Sequence, residues 1–278
     1  MRGDKNGITI LADNQAAAGL FSEHGLSMWI RVNGRHILFD TGQGDTFERN
    51  AKILGLELNL IQVLVLSHGH FDHTGGIPEA VQQAPSVHVY GHPGVVNPRY
   101  NIRDGIPRPI QMPSASKAVL DRLPVEQMHW VQHPVWLSKE IGITGPIPRK
   151  TIYEDTGGPF YEDPGGRQPD LIDDDMALWI QTDAGLVVCL GCSHAGIVNT
   201  LHHIRHMNGG MKIRAVIGGF HLINADRRRL DRTIEKLCDL QPDIVIPCHC
   251  TGKTAVARLV SRLGSRVVPG EVGMTFTL

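Results

Sequence analysis

Long hydrophobic runs are missing from this sequence. No stretch approaches the roughly 18 apolar residues of a membrane span, and the opening MRGDKNG lacks the apolar core of a secretory signal. A cytoplasmic protein with no membrane partner is the expectation. An excess of charge of either sign is missing too: 27 Lys and Arg face 28 Asp and Glu, a formal net charge of -1. No global field then draws the chain to nucleic acid, so no nucleic-acid partner is expected and any charged substrate must be met locally. Cysteine is scarce and odd in number. Cys189, Cys192, Cys238, Cys248 and Cys250 lie in apolar strands or beside histidines, which argues against a secreted disulfide framework and for reduced thiols. The glycines of a phosphate-binding loop are absent before TGK at 251–253, which removes nucleotide binding of that kind.

What the sequence does hold is enough apolar content for a sizeable core, 41% hydrophobic residues over 278. GLSMWIRV, GRHILFDTG, IQVLVLS, SVHVYG, MALWIQT, GLVVCLG, IRAVIGG, DIVIPC and GMTFTL are predicted strands, apolar and bounded by turn residues. Helical periodicity runs through DTFERNAKILGL, IPEAVQQA, IVNTLHHIRHM, DRRRLDRTIEKLCDL and TAVARLVSRLG. The alternation predicts an α/β domain with much of its sheet parallel and covered by helices. Residues 93 to about 170 break the rhythm with most of the chain's 17 prolines and several Gly pairs. Having neither repeat nor linker, the chain is expected to form a single domain over 1–278, with a Pro/Gly-rich lid or loop insertion at about 93–170.

The chemistry concentrates where strands end. LSHGHFDHTGG, residues 66–76, puts His68, His70, Asp72 and His73 within six positions, directly after IQVLVL. Other predicted strands run into His194, His221 and His249, and HILFD closes on Asp40. Loops beyond the carboxyl ends of strands converge while the core stays rigid, which is where α/β sheets bind ligands. A lone histidine there reads as a hydrogen-bonded residue at the core edge. Here His68 and His70 would project to one side of an extended segment, and Asp72 and His73 supply a second pair. A divalent metal needs about three or four such donors, so this set exceeds one closed tetrahedral site and fits two metals better. A rival site built on Cys189, Cys192, Cys248 and Cys250 is weakened by period-two geometry, which buries Cys189 and turns Cys192 toward the loop. Cys192 alone remains a candidate ligand or support for one.

HGHFDH is an HxHxDH pattern and resembles the metallo-β-lactamase superfamily, whose first motif LFDTGQG resembles as well. EHGLS, GCSHAGIVN, IGGFHL and PCHCTG together resemble the branch of dihydropterin-ribofuranosylaminobenzene-phosphate synthase-like metal-dependent hydrolases, and these blocks span almost the whole chain. The resemblance implies a four-layer αβ/βα sandwich with a dinuclear metal centre at one edge of its sheets. It implies that His68 and His70 bind the first metal, Asp72 and His73 the second, that His249 is the final metal-binding histidine, and that Asp40 orients a ligand imidazole from behind. The usual GHTxG third motif and the GD of a bridging aspartate are not found; GCSH and GGFHL stand in that region, with His194 assigned as a ligand and His221 as ligand, general acid or substrate contact.

Two divalent metals, zinc first, with manganese, iron and nickel compatible, would make this a metal-dependent hydrolase using an activated water. Asp72 and His221 are its catalytic candidates. A small-molecule phosphate ester, in particular a phosphodiester, is the expected substrate, with lactones and carboxylic esters, a dihydropterin-linked synthase and a non-catalytic metal-bearing sensor as alternatives. Arg99, Arg103 and Arg108, in NPRYNIRDGIPRP, are candidate anion contacts or solvated loop arginines, and His92 follows a strand in a similar position. A homodimer is compatible with the Pro-rich segment capping a neighbour's site. His202 and His206, one helical turn apart, read as a solvated helix face; the acidic run IDDDM reads as turn chemistry.

Overall fold

A computed structural model describes residues 6–44 and 46–278. The first strands are β1 (Gly7–Ala12), β2 (Ser27–Val32), β3 (Arg35–Phe39), β4 (Val63–Val65) and β5 (His88–Gly91). There follow β6 (Tyr100–Arg103), β7 (Ile106–Pro109), β8 (Met128–Trp130), β9 (Val135–Trp136), β10 (Ile141–Ile143) and β11 (Phe160–Tyr161). The last are β12 (Ala177–Thr182), β13 (Gly185–Leu190), β14 (Ile213–Gly219), β15 (Ile244–Cys248) and β16 (Thr275–Thr277). The helices are α1 (Phe47–Leu54), α2 (Phe71–Thr74), α3 (Ile77–Gln83), α4 (Ser114–Leu120), α5 (Ile197–Met207), α6 (Arg227–Leu240) and α7 (Lys253–Leu263).

Contacts divide the described chain into two compact units. The first comprises the residues up to Asn97 with Ile110–Val131 and Gly270–Leu278; the second comprises Pro98–Pro109 and Gln132–Pro269. The stretch from 93 to 170 is therefore not one loop. Its residues are shared between the units and carry β6 to β11 and α4.

The first unit is built on a seven-stranded sheet, β16-β1-β2-β3-β4-β5-β8. Strands from β16 to β3 pair antiparallel, β16 and β1 joining the two ends of the chain, and β3, β4, β5 and β8 run parallel because helices intervene between them. Period-two residues Leu38, Leu64 and Val89 face one side and pack with Phe47 and Ala51 of α1 and Ile77 and Ala80 of α3.

The second unit holds a six-stranded sheet, β15-β14-β13-β12-β10-β9, and a small antiparallel sheet, β11-β6-β7. β13, β14 and β15 are parallel, joined through α5 and α6. Leu186, Val188 and Leu190 pack against helical stripes at i, i+4, i+7 spacing: Ile197, Leu201 and Ile204 of α5, and Leu230, Ile234 and Leu237 of α6. The start of α6 is fixed by Asp226, whose carboxylate accepts the Arg229 N–H at 2.7 Å. In β13 every residue is buried, and the strand reads as a continuous apolar run with no alternation. Among the described residues, no helix is long and apolar enough to cross a membrane.

Candidate metal centre

The first unit carries one donor set. Beyond β4 the chain passes through Ser67 into His68, then turns at His70 into α2, so extended backbone gives way to a helical turn presenting Asp72 and His73. Gly69 permits the turn, since a Cβ there would lie 2.2 Å from the Val95 carbonyl oxygen. His68, His70, Asp72 and His73 are all buried. His68 Nε2 lies 2.9 Å from His70 Nδ1, and the His68 and His73 ring centroids are 4.3 Å apart.

Asp40 supports this set from behind. It follows β3 in a left-handed conformation, φ 57°, and is fully buried. Its carboxylate accepts the Ser67 N–H at 2.7 Å, the Ser67 hydroxyl at 2.6 Å and Nδ1–H of His73 at 2.7 Å. With its proton given to Asp40, Ser67 Oγ accepts from His68 Nδ1 at 2.9 Å. Both imidazoles are thus held as Nδ1–H tautomers, which makes Nε2 the nitrogen a metal would take. Buried imidazoles clustered this closely, backed by a carboxylate, fit a divalent metal. His24 was not legible as a neighbour: its Nε2 lies 3.1 Å from Asp72 Oδ2, and its only sequence signal is membership of EHGLS.

The second unit carries another set at the ends of three adjacent parallel strands: Cys192 and His194 after β13, His221 after β14, His249 and Cys250 after β15. The backbone leaves these strands through left-handed residues, Ser193 (φ 56°), His221 (φ 45°) and His249 (φ 48°). Such conformations cost energy in non-glycine residues and persist where surroundings enforce them. Here Ser193 Oγ donates to the Gly219 carbonyl at 2.8 Å, while Thr251 Oγ accepts the Phe220 N–H at 3.1 Å and donates to the Cys248 carbonyl at 2.7 Å. His194 is aimed by its Nδ1, which donates to the Thr156 carbonyl at 2.7 Å, and by Arg149, which binds its carbonyl at 2.7 Å. The His194 and His221 ring centroids are 4.3 Å apart, with Phe160 edge-on to both.

Thiols enter this set more than the alternation argument allows. Cys189 lies within β13 and burial pushes its thiol up, as expected for a core residue. Cys192 lies past the end of β13, where alternation no longer applies, and it is buried together with Cys250. Burial would raise the Cys250 thiol, but Cys192, His221 and His249 outweigh it and hold the thiol well below its ordinary 9.0.

Two candidates have other partners. Arg99, read from sequence as a substrate contact, is only 2% exposed and pairs with Asp174 at 2.5 Å and Asp170 at 3.2 Å, an internal ion triad in place of a substrate contact. Both aspartates lie on the segment containing IDDDM, whose Asp175 also accepts the Ala195 N–H at 2.7 Å and steadies the turn after His194. His92 Nδ1 accepts the Gly94 N–H at 3.0 Å and caps the short turn Pro93–Val96. Arg103 instead lines a cavity of about 670 Å³ in the second unit, together with Asp155, Thr156, Gly157 and Asn224.

A model of the metallo-beta-lactamase superfamily matches residues 23–203. The chain is 32% identical over 259 residues to 7,8-dihydropterin-6-methyl-4-(beta-D-ribofuranosyl)-aminobenzene-5'-phosphate synthase of Methanocaldococcus jannaschii, covering 88% of this chain and 87% of that protein. It is equally 32% identical to the uncharacterized protein MJ0448 of the same organism over 270 residues, 96% of this chain and 98% of that one. Among solved structures, Tm1679, a metal-dependent hydrolase of the beta-lactamase superfamily, matches with a TM-score of 0.83 and 28% identity over 98% of this chain and 99% of that one. The fold is accordingly the α/β sandwich of that structure.

Proposed function

Because the chain belongs to the metallo-beta-lactamase superfamily, we propose that it is a metal-dependent hydrolase of small phosphate esters, phosphodiesters first. The observation that carries this reading is the buried set His68, His70, Asp72 and His73 with Asp40 fixing two of its imidazoles. His68 and His70 are proposed for the first metal, Asp72 and His73 for the second, and His194 and His249 as further metal ligands. Held by these residues, two divalent ions, zinc in our reading, would lower the pKa of a water from about 15.7 to roughly 7 and stabilise charge developing on attack.

The residues of the chain supply the rest. Asp72 is the carboxylate placed to accept a proton or to hold metal, with His24 beside it at 3.1 Å. His221 has two chemical uses, protonation of a leaving group or ligation, and the sulfur donors of Cys192 and Cys250 beside it favour ligation. The cavity lined by Arg103 adjoins His194, whose Nδ1–H its Thr156 carbonyl accepts; an ester's anionic group held by Arg103 would occupy it.

A second reading is favoured by one relative, the synthase at 32% identity. It predicts that a dihydropterin and a ribofuranosylaminobenzene phosphate are joined and that simple esters are untouched. A turnover screen of aryl phosphodiesters, phosphomonoesters and lactones, run beside that synthase assay, separates the two. Phosphodiester hydrolysis lost in Asp72→Asn supports the hydrolase; product only in the synthase assay overturns it.

A further inference from the structure

We propose that Cys192, His221 and Cys250 form a metal position with two sulfur donors inside the second unit. This rests on the metal-dependent reading above and makes it more specific, because it names two sulfur donors where the sequence offered Cys192 as the one thiol candidate. The donor atoms of these residues all lie within 4.8 Å of one another. They come from the ends of β13, β14 and β15, whose parallel register pairs Leu190 with Gly218 and Gly219 with Cys248 and so brings the three ends together. The burial is nearly complete, with 2% of Cys192, 9% of His221 and 6% of Cys250 exposed.

Three further observations point to a ligand. His221 Nδ1 is buried and makes no hydrogen bond, an omission that is costly unless something binds there. The His221 backbone is held at φ 45°, a conformation its surroundings must enforce. Both Cys250 and His221 fit only against glycine: a Cβ at Gly219 would lie 2.6 Å from Cys250 Sγ, and one at Gly157 would lie 2.0 Å from His221 Cδ2. The pocket is therefore shaped around these two side chains.

The dimensions suit zinc. With Zn–S near 2.3 Å and Zn–N near 2.0–2.1 Å, donors at tetrahedral corners stand roughly 3.3–3.8 Å apart, so a set within 4.8 Å closes with side-chain rotation. Two sulfurs and one nitrogen leave a fourth corner open, the pattern of reactive rather than purely structural zinc. Each cysteine gives up one proton as its thiolate binds the ion, and the soft pair selects zinc, iron or cuprous copper over magnesium or manganese.

Cobalt(II) titration of the metal-free full-length protein tests this. We expect thiolate-to-cobalt charge-transfer absorption in the near ultraviolet, reduced by about half in Cys192→Ser and in Cys250→Ser, absent in the double variant and unchanged in Cys238→Ser. Bound cobalt without that band, or a band indifferent to Cys250→Ser, overturns the sulfur site and leaves the hydrolase reading standing. No bound cobalt at all overturns both. Zinc K-edge absorption on the zinc-loaded natural protein needs no variant that must fold: sulfur scatterers near 2.3 Å support the proposal, and nitrogen and oxygen scatterers alone overturn it.

Discussion

Asp40 shows how one side chain sets the state of several others. Its carboxylate accepts from Ser67 and His73 and, through Ser67, fixes the tautomer of His68. Asp40→Asn keeps the size but offers an amide where His73 needs an acceptor, so metal affinity should fall about 10- to 100-fold by competition with a chromogenic chelator. Unchanged affinity would show that Asp40 is a packing residue. Arg99 calls for a different prediction. Asp174→Ala leaves the buried guanidinium with Asp170 alone and should cost about 1.5–3 kcal/mol in urea unfolding. The donors of HGHFDH were legible because four of them crowd into one short motif. Arg99 was not, since its partners lie more than seventy positions away and only the fold brings them to it. Cys250 was hidden for a related reason: CxC spacing says nothing about which strand ends adjoin it.

Among the elements, helices α1, α3, α5, α6 and α7 were legible because an apolar stripe has a period of its own, as Ile197, Leu201 and Ile204 show for α5, whereas α2 and α4 were not. The strands β6 to β11 were not legible either, each being two to four residues long, with prolines inside β7 and only β10 fully buried. β1 was missed as well, although its residues are all buried. The start of α5 depends on a distant side chain: Glu154 accepts the Val198 N–H at 2.8 Å and the Asn199 N–H at 2.9 Å. Glu154→Ala should therefore lower stability by about 1–2 kcal/mol, measured by chemical denaturation.

The outer face of α5 gives a pH prediction. Burial, then Lys236, Arg205 and Lys150, lower His202; burial, then Lys150 and His206, lower His203 against a raising hydrogen bond at Thr144. A histidine whose folded pKa lies below its unfolded value binds fewer protons folded than unfolded in between. Its contribution is present above the unfolded value, about 6.5, and is lost as pH falls toward the folded one. The urea midpoint should drop between about pH 7.5 and 5.5, and drop less in His203→Gln. Equal drops in both proteins would contradict this assignment.

For the whole molecule, the strand-helix alternation predicted an α/β fold, and motif resemblance specified the sandwich that Tm1679 shares. How the chain assigns its segments to two units was not legible. β16 pairs with β1 across almost the full sequence, and Pro98–Pro109 leaves the first unit to join the second. A bound metal should stabilise the native chain by mass action, raising Tm with zinc and lowering it with chelator. The most direct test of the central claim is metal content by elemental mass spectrometry on purified natural protein and on His68→Ala. The account predicts close to two divalent ions per chain beyond the one at Cys192, His221 and Cys250, with at least one of those two lost in the variant; a folded natural protein that retains no metal after incubation with zinc would contradict it.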